Sequence, residues 1–276
     1  MAASTVEGPV AHHFNNMGQQ LATVRFGMWL FLVTEVLFFG GVFCAYTAYR
    51  IWYPKDFEAG SAALNVGIAS VNTLLLLSSS LTITLAIRAA YVRNRTGLAR
   101  NLILTIVLGT AFLGLKAREY HLDYEEGLMP TTATVKQMQT VTENGKDVQV
   151  EVTVPKFNIA LEKTLKHENF KGVAGKDYDP SRVQLFFMFY YSMTGLHVLH
   201  MVIGIGLLIW QLILAKTGFF DQNARYVYIE VMSLYWHFVD MVWMFLLPLL
   251  YLCGPHTSHQ AIEQFKTAIG LSQGGY

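Results

Sequence analysis

Charge is what this sequence has least of. Only 14% of its 276 residues are Asp, Glu, Lys or Arg, and 53% are hydrophobic, whereas a water-soluble domain carries about 25% charged residues. That balance excludes an ordinary soluble domain and points to a chain whose solvent is a bilayer. Cysteine is nearly missing: Cys44 and Cys253 are the only two, and both fall inside apolar runs. Two thiols cannot build a disulfide framework or a zinc site, and a free thiol within an apolar run behaves as a small hydrophobe, so both read as structural. A net charge of +1 offers no basic footprint, so neither a nucleic-acid partner nor a polybasic lipid-binding tail is expected. The polar stretch before the first apolar run contains His12 and His13 but no charged n-region and no small-residue cleavage site, so no removable signal peptide is expected. No fixed-period repeat or low-complexity tract is visible.

Long apolar runs, by contrast, are plentiful. A hydrocarbon core about 30 Å thick needs roughly 20 helical residues at 1.5 Å each. Five segments meet or approach that length: 26–49, 64–90, 99–120, 183–215 and 226–253. The third has the shortest apolar core, 102–115, before Lys116 and Arg118, which are expected to snorkel toward the headgroups. The fold class predicted is therefore an all-α integral membrane protein, a five-transmembrane-helix bundle. Arg88, Arg93, Arg95 and Arg100 surround the connection between segments two and three, which marks it as cytoplasmic. Counting crossings from there gives a cytoplasmic N-terminal tail (1–21), helices one to three (22–120), an extracytoplasmic insertion (121–181), helices four and five (182–254) and an extracytoplasmic C-terminal tail (255–276). Within the insertion, Asn144-Gly145 is a favoured two-residue turn, and Val148, Val150, Val152 and Val154 alternate strictly, so a β-hairpin is expected there. Its valines need cover, which predicts a small β-rich cap resting on the membrane face or on a partner subunit.

Ionisable groups at bilayer depth cost about 2.5 to 3.5 kcal/mol each on the insertion scale, so each requires an explanation. Glu35 lies near the middle of helix one among Trp29, Phe31, Phe38 and Phe39, and reads either as a proton- or lipid-linked carboxyl or as a helix-packing hydrogen bond. His197 and His200 share one face of helix four by spacing, followed by Gly204 and Gly206, which permit close helix approach. They read either as metal or haem ligands, with His237 the other candidate, or as structural hydrogen-bonding groups. Helix five places Glu230, Ser233, His237 and Asp240 on one polar stripe, with His237 and Asp240 at helical contact distance and able to pair. That stripe is either a satisfied seam against another helix or a proton wire. Pro248 is expected to kink this helix near its outer end.

These residues also carry a family resemblance. The run Glu35-Val36-Leu37-Phe38-Phe39 resembles the first-helix motif of the five-helix form of subunit III of the haem-copper oxidases, and Lys116, Glu119 and Tyr120 resemble its third-helix exit. Thr194-Gly195-Leu196-His197-Val198-Leu199-His200, continuing to Gly204, is similar to the family's paired-histidine helix. Tyr235-Trp236-His237-Phe238-Val239-Asp240-Met241-Val242-Trp243 resembles its most recognisable signature. Two departures stand out: Lys116 replaces a Gln found in many members, and the insertion is longer than the family's usual connection.

The resemblance implies an accessory subunit of a terminal oxidase in the aerobic respiratory chain of a bacterial cytoplasmic membrane. Such a subunit binds no haem, copper or other metal; those cofactors are expected in partner subunits. It packs on the catalytic subunit I in a complex with subunit II, holds phospholipid, and supports proton uptake and sustained turnover. By this resemblance Glu35, His197, His200, Glu230, His237 and Asp240 are lipid- or proton-linked positions, with no catalytic residue on this chain. The competing readings are an accessory subunit of a nitric oxide reductase system and a proton-coupled transporter, although no inverted repeat or broken helix pair is apparent. A dihaem cytochrome would need four ligands where three histidines are credible.

Overall fold

The computed structural model describes residues 14, 16–130, 134–143, 146–167, 178–221 and 225–252. Its elements run, in chain order, α1 (Met17–Trp52), α2 (Pro54–Ala62), α3 (Val66–Tyr91), α4 (Arg95–Glu126), β1 (Thr134–Glu143), β2 (Lys146–Pro155), α5 (Lys156–His167), α6 (Pro180–Lys216), a 3-10 turn (Phe219–Asp221) and α7 (Val227–Leu250). Five of the helices, α1, α3, α4, α6 and α7, are long and apolar enough to cross a membrane. They match the five apolar segments, but α1 begins nine residues earlier than expected, and α4 runs six residues past Tyr120 into the segment expected to be insertion.

Local chemistry sets the helix ends. The Asn16 side chain accepts from the Gln19 amide at 2.8 Å and caps α1, and Pro54 opens α2, where its missing N–H leaves no bond unmade. Helix α3 closes with Arg93 in the left-handed region (φ 55°), and the Asn94 amide reaches back to the Ala89 carbonyl at 2.9 Å. The Asn94 side chain then caps α4 by accepting from the Gly97 amide, so a single tight turn ends one helix and begins the next. Helix α4 ends the same way with glycine: Gly127 has φ 81°, and the Leu128 amide bonds the Asp123 carbonyl at 2.9 Å, the six-to-one bond of a Schellman cap. Pro248 lies inside α7, which ends two residues later.

The expected hairpin is present as β1 and β2, antiparallel, with register running from Thr134↔Pro155 to Glu143↔Lys146. The Asn144-Gly145 turn lies outside the described residues. The insertion is not purely β: α5 follows directly on β2 and buries Phe157, Ala160, Leu161 and Leu165.

The chain divides into two compact units. The first takes Met1–Cys44, Ser70–Leu115 and Met193–Leu246; the second takes Ala45–Ala69, Lys116–Ser192 and Leu247–Tyr276. Two tryptophans organise the first. Trp236 fits against Gly109 and Gly204, where an added Cβ would come within 2.8 and 3.1 Å of its ring, and its indole N–H donates to Ser79. Trp243 packs edge-on against Phe112 and donates to Thr73. Since Ser79 and Thr73 descend α3 as Trp236 and Trp243 ascend α7, these two helices are antiparallel. Gly206 meets nothing within 4 Å, so of the expected glycine pair only Gly204 serves a close approach. The second unit is built on Tyr46, Phe57, Phe186 and Phe187, all buried, with rings meeting at steep angles.

Candidate functional site

In the first unit, α1 and α6 bring Glu35 and His200 together, with His200 Nε2 3.1 Å from Glu35 Oε2. Sequence spacing could not pair them, because they are 165 residues apart. The other ring nitrogen, Nδ1, lies 2.8 Å from the Leu196 carbonyl one turn back. A carbonyl only accepts, so Nδ1 carries a hydrogen and the tautomer is fixed. The contact at Nε2 then holds one shared proton, either on the carboxyl, which donates to a neutral ring, or on the ring, which donates to a carboxylate. The Phe39 ring packs against the imidazole at a tilt, with centroids 5.2 Å apart, and Tyr235 O–H donates to the His200 carbonyl at 3.0 Å. Phe39 is itself buried, whereas Trp29, Phe31 and Phe38 are exposed on this chain. The pair remains partly open, with 19% of the Glu35 side chain and 12% of the His200 side chain accessible.

The other candidates do not join it. His197 is fully buried, with its ring against Phe112 and Trp243, so the two histidines diverge, one into the interior and one toward α1. His237 does not bond Asp240 as expected; its Nδ1 lies 2.7 Å from Ser80 Oγ and its Nε2 3.4 Å from Thr84 Oγ1, both on α3. The reason is rotational: position 237 turns toward α3, which offers the Ser80 and Thr84 hydroxyls. Asp240 is buried beside Ser80, but its oxygens make no hydrogen bond of ordinary geometry. Glu230 pairs with Arg25 of α1 at 2.8 Å, and Ser233 bonds the Glu230 carbonyl on its own helix. Along the stripe read from the sequence, Glu230 thus meets Arg25, Ser233 its own helix and His237 the hydroxyls of α3. His197, His200 and His237 each face different partners and do not converge on a common point where haem or a metal could sit, and among the described residues no group of three or more His, Cys, Asp or Glu is arranged to hold a metal.

The second unit contains a polar cluster whose partners the sequence did not reveal. Lys116 does not snorkel: it is 1% exposed, and its Nζ donates to Glu119 Oε2 at 2.9 Å, Tyr251 Oη at 2.9 Å and Tyr190 Oη at 3.2 Å. Tyr190 and Tyr251 in turn donate to Glu119 Oε1 at 2.9 and 2.7 Å. An ammonium has three N–H donors, and all three are used here, while both oxygens of the carboxylate accept. Tyr120, the third residue of the exit motif, sets its ring edge-on to Tyr190 and Tyr191. One turn beyond, Asp123 accepts from Tyr191 Oη at 3.1 Å. Only the Lys116–Glu119 spacing signalled this cluster; the tyrosines lie 74 and 135 residues away from Lys116.

A family model described as cytochrome c oxidase subunit III matches residues 5–124 and 183–255. Among curated proteins the chain is 29% identical to cytochrome c oxidase subunit 3 of Patiria pectinifera over 238 residues, covering 83% of this chain and 68% of that protein. It is 27% identical to cytochrome c oxidase subunit 3 of Alkalihalophilus pseudofirmus, covering 83% and 85% of the two chains. It is also 25% identical to cytochrome bo(3) ubiquinol oxidase subunit 3 of Pseudomonas aeruginosa, covering 89% and 92%. These relatives are oxidase subunits, which does not favour a nitric oxide reductase accessory protein or a transporter. With the family match spanning all five membrane helices, this chain belongs to the cytochrome c oxidase subunit III family of the haem-copper oxidases.

Proposed function

We propose that this chain is the non-redox subunit III of a bacterial terminal oxidase, and that Glu35 and His200 are its proton- and lipid-facing site. The observation that carries the proposal is the fixed tautomer of His200, which leaves one exchangeable proton between its Nε2 and Glu35. A carboxyl-imidazole pair on a partly open face can take up or release that proton with little movement of either group. On faces turned away from Glu35, α1 presents Phe26, Trp29, Leu30 and Leu37, all more than half exposed on this chain, a surface suited to acyl chains and to the helices of a catalytic subunit I. Haem and copper reside in subunits I and II, and this chain supports the supply of protons to them while oxygen is reduced. The arginines at the α3–α4 turn lie on the cytoplasmic side, as does the N-terminus, and the C-terminus lies on the periplasmic side.

The test is the purified complex carrying Glu35→Ala. Its initial oxygen-reduction rate should stay near that of the unaltered enzyme, while the number of turnovers before inactivation falls. An immediate loss of rate would place Glu35 in the catalytic path and overturn the proposal. Purification by a tag on this chain should bring down haem- and copper-bearing subunits, and the colour should vanish from the chain when it is isolated alone.

A further inference from the structure

We infer that the second unit holds a site for a zwitterion with a primary ammonium and an anionic group, supplied by the ethanolamine headgroup of a phospholipid. A cavity of about 370 Å³ is lined by Ala63, Leu64, Asn65, Glu119, Leu122, Asp123, Glu126, Ala160, Lys163 and Thr164. That size lies within the range of small-ligand sites. It is enclosed by the last turns of α4, the residues leading into α3 and one face of α5. The family match ends at residue 124 and resumes at 183, so Glu126, Ala160, Lys163 and Thr164 belong to a segment outside that match.

The polar groups of the cavity are unmatched in a particular way. Glu119 is spent on Lys116 and two tyrosines. Asp123 is 8% exposed; its Oδ2 accepts from Tyr191, and its Oδ1 takes no hydrogen bond among the described residues. Glu126 stands one turn further along the same helix. Lys163 on α5 lines the same cavity and forms no ion pair with these acids among the described residues, and Asn65, whose Oδ1 accepts from the Ile68 amide, has amide N–H groups to donate. Carboxyl groups from α4, an ammonium from α5 and an amide ahead of α3 therefore line one cavity, the donor and acceptor set that a short zwitterion needs. A primary ammonium can donate N–H to Asp123 Oδ1 and Glu126, which a quaternary one cannot. No aromatic ring lines the cavity to hold choline by cation-π contact. The site lies where two membrane-length helices end, at the start of α3 and the close of α4, with Leu64 and Leu122 among its apolar lining.

The inference requires only that the chain be membrane-embedded, so it fails or stands separately from the oxidase reading. The experiment is native mass spectrometry of the whole complex delivered from nanodiscs of phosphatidylglycerol with added phosphatidylethanolamine or phosphatidylcholine. One phosphatidylethanolamine per copy of this chain should be retained over phosphatidylcholine. The Glu126→Gln/Lys163→Gln variant, altering two exposed side chains outside the core, removes one charge-assisted contact at each end of the zwitterion and should lower its apparent affinity at least about tenfold. If soluble phosphoethanolamine raises the unfolding temperature of lipid-stripped complex through these same residues, the site stands and its ligand is a free solute. Equal retention of the choline lipid, no effect of the double variant, or stabilisation by calcium ion alone would each overturn it.

Discussion

The two polar centres of this protein answer the same problem in opposite ways. In the second unit, Lys116 and Glu119 are 1% and 5% exposed at the side chain, and the ammonium donors and both carboxylate oxygens are engaged by the other or by Tyr190 and Tyr251. In the first unit, Glu35 and His200 stay partly open and share a single proton at 3.1 Å. A saturated, closed cluster can hold helices in place but has no proton to exchange without breaking. An open pair with one shared proton is weaker as a clamp and better as a relay. Burial and completeness, more than the kind of residue, separate the two centres.

The sharpest way to break this comparison is to unpair the closed cluster. Glu119→Leu leaves the Lys116 ammonium buried without a counter-charge and should cost about 3–5 kcal/mol of stability, read as a lowered unfolding temperature of the chain within its complex. Lys116→Met/Glu119→Leu removes both charges and should be milder than the single change by more than about 1 kcal/mol. A double variant as damaged as the single one would show that the tyrosine hydroxyls, and not the ion pair, carry the cluster.

The open pair calls for a finer cut. Glu35→Ala leaves a ring nitrogen of His200 without its partner and should cost about 1–3 kcal/mol. Glu35→Gln can still donate a hydrogen bond to Nε2 but has no transferable proton. If the proton matters, the two variants should shorten turnover lifetime alike while only Glu35→Ala loses stability. Full lifetime in Glu35→Gln would reduce the pair to a packing contact and erase its difference from the closed cluster.

The contrast between the centres also explains what was legible beforehand. Apolar runs of bilayer length gave away all five membrane helices, because the cost of exposed backbone in lipid leaves few other structures. The hairpin was legible from alternating valines, and α5 was not, since its buried face is only Phe157, Ala160, Leu161 and Leu165. At the sites, individual residues were visible as costly groups in apolar surroundings, but their partners were not. Spacing on one helix suggested His197 with His200 and His237 with Asp240. Helix rotation instead sends His200 to α1, His237 to the Ser80 and Thr84 hydroxyls, and Lys116 inward to two tyrosines from elsewhere in the chain. Partner choice is a tertiary property, and intrahelical distance alone does not fix it.

Packing in the first unit offers a test at smaller scale. Gly109→Ala would set a methyl 2.8 Å from the Trp236 ring, and overpacking of this kind costs about 1–3 kcal/mol. Gly206→Ala has nothing within 4 Å to meet, so it should be neutral or gain the roughly 0.5–1 kcal/mol that alanine holds over glycine inside a helix. Thermal unfolding of the two variants side by side checks both. If they behave alike, the first unit is loose around Trp236 as well as around Glu35, and the comparison loses its basis.

The smallest effect belongs to the most visible charge pair. Arg25 Nη2 and Glu230 Oε2 stand 2.8 Å apart, yet their side chains are 43% and 35% exposed. Water and salt screen such a pair, and holding two flexible side chains in one geometry offsets much of the Coulomb gain, so a double-mutant cycle with Arg25→Ala and Glu230→Ala should return only about 0.2–1 kcal/mol. Raising salt should shrink it further, while the Lys116–Glu119 coupling, sealed from solvent, should hardly respond. A salt-insensitive coupling of several kcal/mol at Arg25 and Glu230 would mean that this end of α1 is covered in the assembled complex. The pair would then belong with the closed cluster, and burial by a neighbouring subunit would have to be counted in deciding which charges of this chain are structural.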